Sequence, residues 1–117
     1  MHMKQLSPKH YEAFQIKKSR PGVLKIEFSS TEDLNVYLVS EKGFQKLEHN
    51  NSISPFDSFI HVKSKEEEKV VRVDTGDYYL IFSNPNEKPA FYNYSVLENS
   101  DAPFHAGLFG TSGTLGR

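Results

Sequence analysis

Residues 69–84 read KVVRVDTGDYYLIFSN, and the alternation within them confines the chain to strands meeting at a tight corner. Val71 and Val73 share one side. Past a break, Tyr78, Leu80 and Phe82 share one side of a second strand, with Tyr79 and Ile81 on the other. A period of two in β-branched and aromatic residues is the mark of a strand. The break itself reads Asp74-Thr75-Gly76-Asp77-Tyr78. Gly76 has the backbone freedom for a sharp turn, and Asp74 can bond its own backbone nearby. A Tyr just past such a turn folds its ring under the corner and sends its hydroxyl upstream, the tyrosine-corner device of antiparallel sandwiches. Asp74, Gly76 and Tyr78 are assigned on this ground as a structural corner.

The same alternation recurs along the chain. Residues 11–17 read as a short strand, and Arg20-Pro21-Gly22 as a turn. Residues 23–29 put Leu24, Ile26 and Phe28 on a core face and Lys25, Glu27 and Ser29 on a wet one. Residues 30–33 are a polar connection. The strand over 34–39 turns Leu34, Val36 and Leu38 inward, and Asn35, Tyr37 and Val39 outward or toward a partner. Phe44 and Leu47 lie three apart, which suits a short helix or irregular segment over 42–49, with Ser40 as its cap. Residues 50–55 read as a loop and 56–64 as a strand. The charged run over 63–69 reads as a solvated hairpin tip. Residues 83–86 are turn formers, and Pro85 cannot continue a central strand. Residues 90–97 form the last clear strand.

This pattern predicts an all-β chain. It is an antiparallel β-sandwich, jelly-roll-like, of about seven to eight strands with turn signals between them. Residues 1–10 are an N-terminal extension, 11–98 the sandwich, and 99–117 a Gly-rich C-terminal tail. At 117 residues the chain suffices for one modest core. A net charge of −1 gives no general attraction to nucleic acid. The absence of Cys excludes disulfides and thiolate metal sites. No apolar run approaches the ~20 residues that span a bilayer. No signal-peptide pattern is visible at the N-terminus. The expectation is a cytoplasmic protein, or an exported domain whose leader has been removed.

The run Leu34-Asn35-Val36-Tyr37-Leu38-Val39, then Gly76-Asp77-Tyr78-Tyr79-Leu80-Ile81-Phe82-Ser83-Asn84, then Tyr92-Asn93-Tyr94-Ser95-Val96, resembles a jelly-roll group. It is similar to GOLD domains and to bacterial pre-peptidase C-terminal (PPC) domains, over roughly residues 11–98. The resemblance implies an accessory module that binds proteins, sugars or lipids rather than an enzyme.

Motifs for chemistry are missing from the sequence. It contains no H-E-x-x-H, no G-x-S-x-G elbow and no phosphate-binding glycine loop. A zinc site from His49, Asp57 and His61 would have to be assembled through the fold. Glu32, Asp33 and Asn35, with Asp74 or Asp77, carry oxygen donors that suit calcium, though such residues in turns are more often turn formers. Glu66, Glu67 and Glu68 are too solvated to act as paired catalytic acids. No catalytic residue, metal or cofactor is expected.

Two features point to binding. Tyr37, Tyr79, Tyr92 and Tyr94 are candidate outward aromatics, with an apolar face and a polar end suited to interfaces and sugar stacking, unless most of them fill the second sheet's core or cover an edge. Leu108, Phe109 and Leu115 punctuate the Gly-rich tail without a helical or strand pattern. Ordering such a segment costs about 1 kcal/mol or more per residue, so contacts with something must offset it. The leading expectation is a non-enzymatic interaction or structural module. It binds a protein partner or self-associates, with the tail as a docking arm. The alternative is a carbohydrate- or small-ligand-binding jelly roll that uses surface tyrosines.

Overall fold

The computed structural model describes residues 3–50 and 58–100. The elements are β1 (Lys4–Leu6), β2 (Tyr11–Lys18), β3 (Gly22–Ser40), α1 (Glu41–Asn50), β4 (Ser58–Val73), β5 (Gly76–Ser83) and β6 (Ala90–Ser100). Every strand pairing among them is antiparallel. Strand order runs β1-β6-β3-β5-β2, with β4 on the other side of β3.

The long strand β3 explains the architecture. Its first half, from Gly22 to Ser30, bonds β6, and its second half, from Asn35 to Ser40, bonds β5. On its opposite edge β4 follows it along both halves. One layer therefore holds β1, β6 and the first half of β3. The other holds β2, β5 and the second half. Since β3 and β4 each serve both layers, six strands among the described residues do the work of a jelly-roll-like β-sandwich.

Two expected loops are strand. The 30–33 connection lies within β3, and the 63–69 tip lies within β4. Register shifts between Ser29 and Leu34, so the strand bends there without ending. Side chains stand in for the lost ladder bonds. The Ser30 hydroxyl donates to the Glu32 carbonyl, and the Phe91 N–H donates to Thr31 Oγ1 at 3.0 Å. Leu24, Ile26 and Phe28 keep the same phase as Leu34, Val36 and Leu38, so both halves of β3 face one core. In β4, Glu66 through Lys69 pair with Ser29 through Ile26. β4 is bonded on one side only among the described residues, and its charges keep that edge wet, a common protection for an exposed strand.

The core joins the layers through aromatic rings. Phe82 is fully buried and lies 5.8 Å from Phe28, 4.6 Å from Tyr92 and 6.1 Å from Phe14, centroid to centroid. Leu34, Val36, Leu38 and Leu80 fill the remainder. Leu6, from the N-terminal extension, is also buried there, because β1 pairs with Ala90 through Tyr92 of β6.

Two polar devices hold the chain ends of these strands. At the corner, Gly76 has φ +145° and the Tyr78 hydroxyl donates to the Asp74 carbonyl at 2.9 Å. The second device is Asn84, which the sequence shows only as a turn residue. It is fully buried, and its amide donates to the carbonyls of Leu6 at 3.0 Å and Lys88 at 2.9 Å. Its side-chain oxygen accepts from the backbone and side chain of Asn86, and Asn86 donates onward to the Asp33 carbonyl at 2.8 Å. β1, the β5–β6 turn and the bend of β3 are thereby tied to one point.

Removing the corner bond with Tyr78→Phe should cost about 0.5–1.5 kcal/mol in urea unfolding. Gly76→Ala should cost about 1–3 kcal/mol through backbone strain, since a Cβ there would meet only ordinary contact at 3.9 Å. Asn84→Ala should cost more than Tyr78→Phe, because it strands several buried partners at about 1–3 kcal/mol each.

Candidate functional site

The outer faces of the two layers differ in chemistry. On the face of β3, β4 and β6, Glu27, Glu66 and Glu68 border an open depression of about 830 Å³ together with Ser29 and Ser95. Lys25 sits 3.6 Å from both Glu27 and Glu68 and partly neutralises them. Ser29 donates to the Asn93 side-chain oxygen at 3.0 Å. This is a solvated, self-paired surface.

The face of β2, β5 and the second half of β3 is aromatic. Register places Ala13 opposite Ile81, Ile81 opposite Tyr37, and Tyr37 opposite His61. A single row thus crosses the sheet from one edge to the other. Tyr37 and His61 are stacked at 4.4 Å with 16° between their planes. Beside the row, Phe44 stacks on Tyr79 at 4.2 Å and 13°. Phe44 arrives there because α1 lays Phe44 and Leu47 over Val39 and Ile81, while Ser40 Oγ accepts the Gly43 N–H at 3.3 Å and caps the helix. Helix α1 covers one end of the face and leaves the Tyr37–His61 pair beside it. His61 is exposed and Tyr37 half-buried. Burial holds the Tyr37 hydroxyl above its ordinary value of 10.0.

The candidate tyrosines separate sharply. Tyr92 is not an outward aromatic: it is fully buried against Phe82, and its hydroxyl donates to the Glu12 carboxylate. The reason is phase. Even-numbered residues of β6 face the core, so Tyr92 shares its side with Ala90 and has no surface to offer a partner. Burial, then the bond to Glu12, push its titration far above the ordinary value. Tyr94 is half-buried between Phe14 and Phe82, at 4.7 Å and 5.2 Å. Leu108, Phe109 and Leu115 lie outside the described residues, as does Asp57 of the zinc grouping.

Among the described residues, no strand bridges β2 and β6. A groove of about 470 Å³ is lined by Phe14, Ile16, Leu80, Tyr94 and Val96, with Gln15 and Ser95 at its rim. Lys4 lies over the Phe14 ring at 5.4 Å. The Tyr92–Glu12 bond links the layers beside it.

Among the described residues no group of three or more His, Asp or Glu side chains is placed to hold a metal ion. Two of the calcium donors are engaged elsewhere. Glu32 pairs with Lys88 at 3.4 Å, and the Asp74 carboxylate accepts the Thr75 N–H at 3.0 Å. No described helix is long and apolar enough to cross a membrane.

No protein-family model and no curated protein matches the chain. Among solved structures, the pre-peptidase C-terminal domain of a collagenase from Bacillus anthracis superposes with a TM-score of 0.58 at 13% identity. The match covers 80% of this chain and 86% of that one. The fold is therefore PPC-like.

Tyrosines whose titration is raised by folding release their proton later than in the unfolded chain. Their contribution is unchanged below pH 10 and opposes the native state above it. Stability should fall as pH rises past about 10. Tyr92→Phe should flatten that fall in denaturant midpoints taken across the alkaline range.

Proposed function

We propose that this chain is a non-catalytic interaction module that engages a protein partner, in the first instance a second copy of itself. The Tyr37–His61 and Phe44–Tyr79 stacks support this reading most. Ring pairs held rigid by a sheet and a helix lose little side-chain entropy on contact, and Tyr offers both an apolar face and a hydroxyl. Residues 107–117 act with them as a docking arm, contributing Leu108, Phe109 and Leu115. The fold likeness to the pre-peptidase C-terminal domain of a collagenase agrees with a module lacking its own chemistry. The GOLD side of the resemblance rests on the sequence motifs alone.

Light scattering over a concentration series is the test. The full chain should gain mass with concentration, and a chain lacking residues 107–117 should not. Tyr37→Ser should weaken the association by about tenfold, the loss of an ordinary interface hot spot. A constant monomer mass for the full chain would falsify self-association.

The second reading, carbohydrate binding, is favoured by the exposed ring of His61 beside Tyr37. It is weakened by the burial of Tyr92 and by the engagement of one Tyr37 face with His61. A glycan array whose signal disappears in His61→Ala would support it. A flat array would remove it.

A further inference from the structure

β1 joins the sandwich through one strained turn. Ser7-Pro8-Lys9-His10 carries the chain from β1 to β2. The His10 N–H donates to the Ser7 carbonyl at 3.2 Å and closes the turn. Its third residue, Lys9, has φ +63°, the one positive φ outside glycine among the described residues. A turn that needs a positive φ at this place ordinarily takes Gly, because a Cβ there crowds the backbone. Contacts around Lys9 offset the strain. Its N–H donates to the Asn84 carbonyl at 2.9 Å, and its ammonium lies 3.0 Å from Glu87.

Beyond the turn, β1 acts as a plug. Leu6 is buried in the core, and its carbonyl accepts from the Asn84 amide at 3.0 Å. Lys4, Gln5 and Leu6 pair with Tyr92, Phe91 and Ala90. These partners belong to β6 and the β5–β6 turn, so β1 of another copy satisfies them equally well. Opening the turn asks little of the chain. Pro8 holds its own φ in a range that extended backbone also uses, and it keeps Ser7 extended. Lys9 is then the residue whose φ must change, and the change takes it out of a disfavoured region. His10 stays with β2, since its carbonyl accepts the Asn84 N–H at 3.0 Å. Extended, residues 7–9 span about 10 Å, which reaches the same socket on a copy meeting it end to end. That end carries both signs of charge, Lys9 with Glu87 and Lys88 with Glu32, so two copies can trade ion pairs there. A short hinge under strain beside a terminal strand is where identical elements swap between copies.

We infer that β1 is an exchangeable strand. Residues 4–6 of one copy dock on residues 90–92 of a second, with Leu6 entering the second core, and the reverse exchange closes a two-fold dimer. This pairing is separate from association through residues 107–117 and has different kinetics. Leu6 must leave one core before it enters another, so the exchanged dimer forms on refolding or long incubation at high concentration and survives dilution. A docking arm needs no strand to leave a core, and its association follows dilution.

The chain has no Cys, so introduced thiols report without background. Gln5→Cys chains and Phe91→Cys chains of distinguishable mass are refolded together at high concentration, and the double-mass fraction is isolated after dilution. Gln5 and Phe91 lie opposite one another and share a face. A disulfide joining the two kinds of chain should form there under mild oxidation. Gln5→Cys with Ser95→Cys, four residues further along β6, should stay open. Lys9→Gly removes the strain and should lower the double-mass fraction about tenfold, whereas Lys9→Ala keeps the strain and should not lower it. Exchange is overturned by any of three results: no dilution-resistant double-mass fraction, such a fraction without the mixed disulfide, or a fraction equal in Lys9→Gly and the parent chain. Mass that rises with concentration and reverses on dilution reports the docking arm instead, so the two readings fail separately.

Discussion

β3 is bonded along both of its edges, and that double bonding sets the rest of the structure. Its 19 residues meet β4 on one side, and β6 then β5 on the other. A strand satisfied this way cannot slip by one residue without turning Leu24, Ile26, Phe28, Leu34, Val36 and Leu38 out of the core together. Burying side chains of this size is worth roughly 1.5–3 kcal/mol each, so the register is held by many such terms at once. The bend at residues 30–33 converts the one strand into a hinge between two layers. It persists because Ser30 and Thr31 and the Asn84–Asn86 pair satisfy the backbone groups that the ladder leaves.

The surface follows from the same strand. Residues of β3 that do not face the core face outward on one layer or the other. On the first half they are Lys25, Glu27 and Ser29, which bond among themselves and with β4 and β6. On the second half they are Tyr37 and Val39, which gather His61, Ile81 and the helix. One outer face therefore carries self-paired charges, and the other carries the stacked pairs Tyr37–His61 and Phe44–Tyr79. Among the described residues, β1 pairs with β6 only at Ala90, Phe91 and Tyr92, through its 3 residues.

Much of this was legible from particular residues. The face assignments of Tyr78, Leu80 and Phe82 against Tyr79 and Ile81 hold in the two core clusters. The inward set of β3 holds as well, as does the short helix led by Ser40. The joining of strands across polar runs was not legible. Residues 30–33 and 63–69 have loop composition, and only their partners across the sheet keep them extended. Asn84 could not be found either, since its role depends on Leu6 and Lys88 coming to it from other elements. For Tyr92 the alternation in β6 puts it on one side with Ala90, but which side faces the core is decided by the packing of β6 against Phe82.

The sequence by itself determined which residues alternate, where the chain can turn, and that the product is a sandwich of antiparallel strands, because those properties reside in side-chain shape and backbone freedom over a few neighbours. Only the tertiary structure decided that six strands build the sandwich among the described residues, that Tyr92 is core while Tyr37 pairs with His61, and that the described residues of β2 and β6 line a groove between them. Those outcomes depend on contacts between residues far apart in the chain, and strand periodicity carries no record of which strand lies beside which.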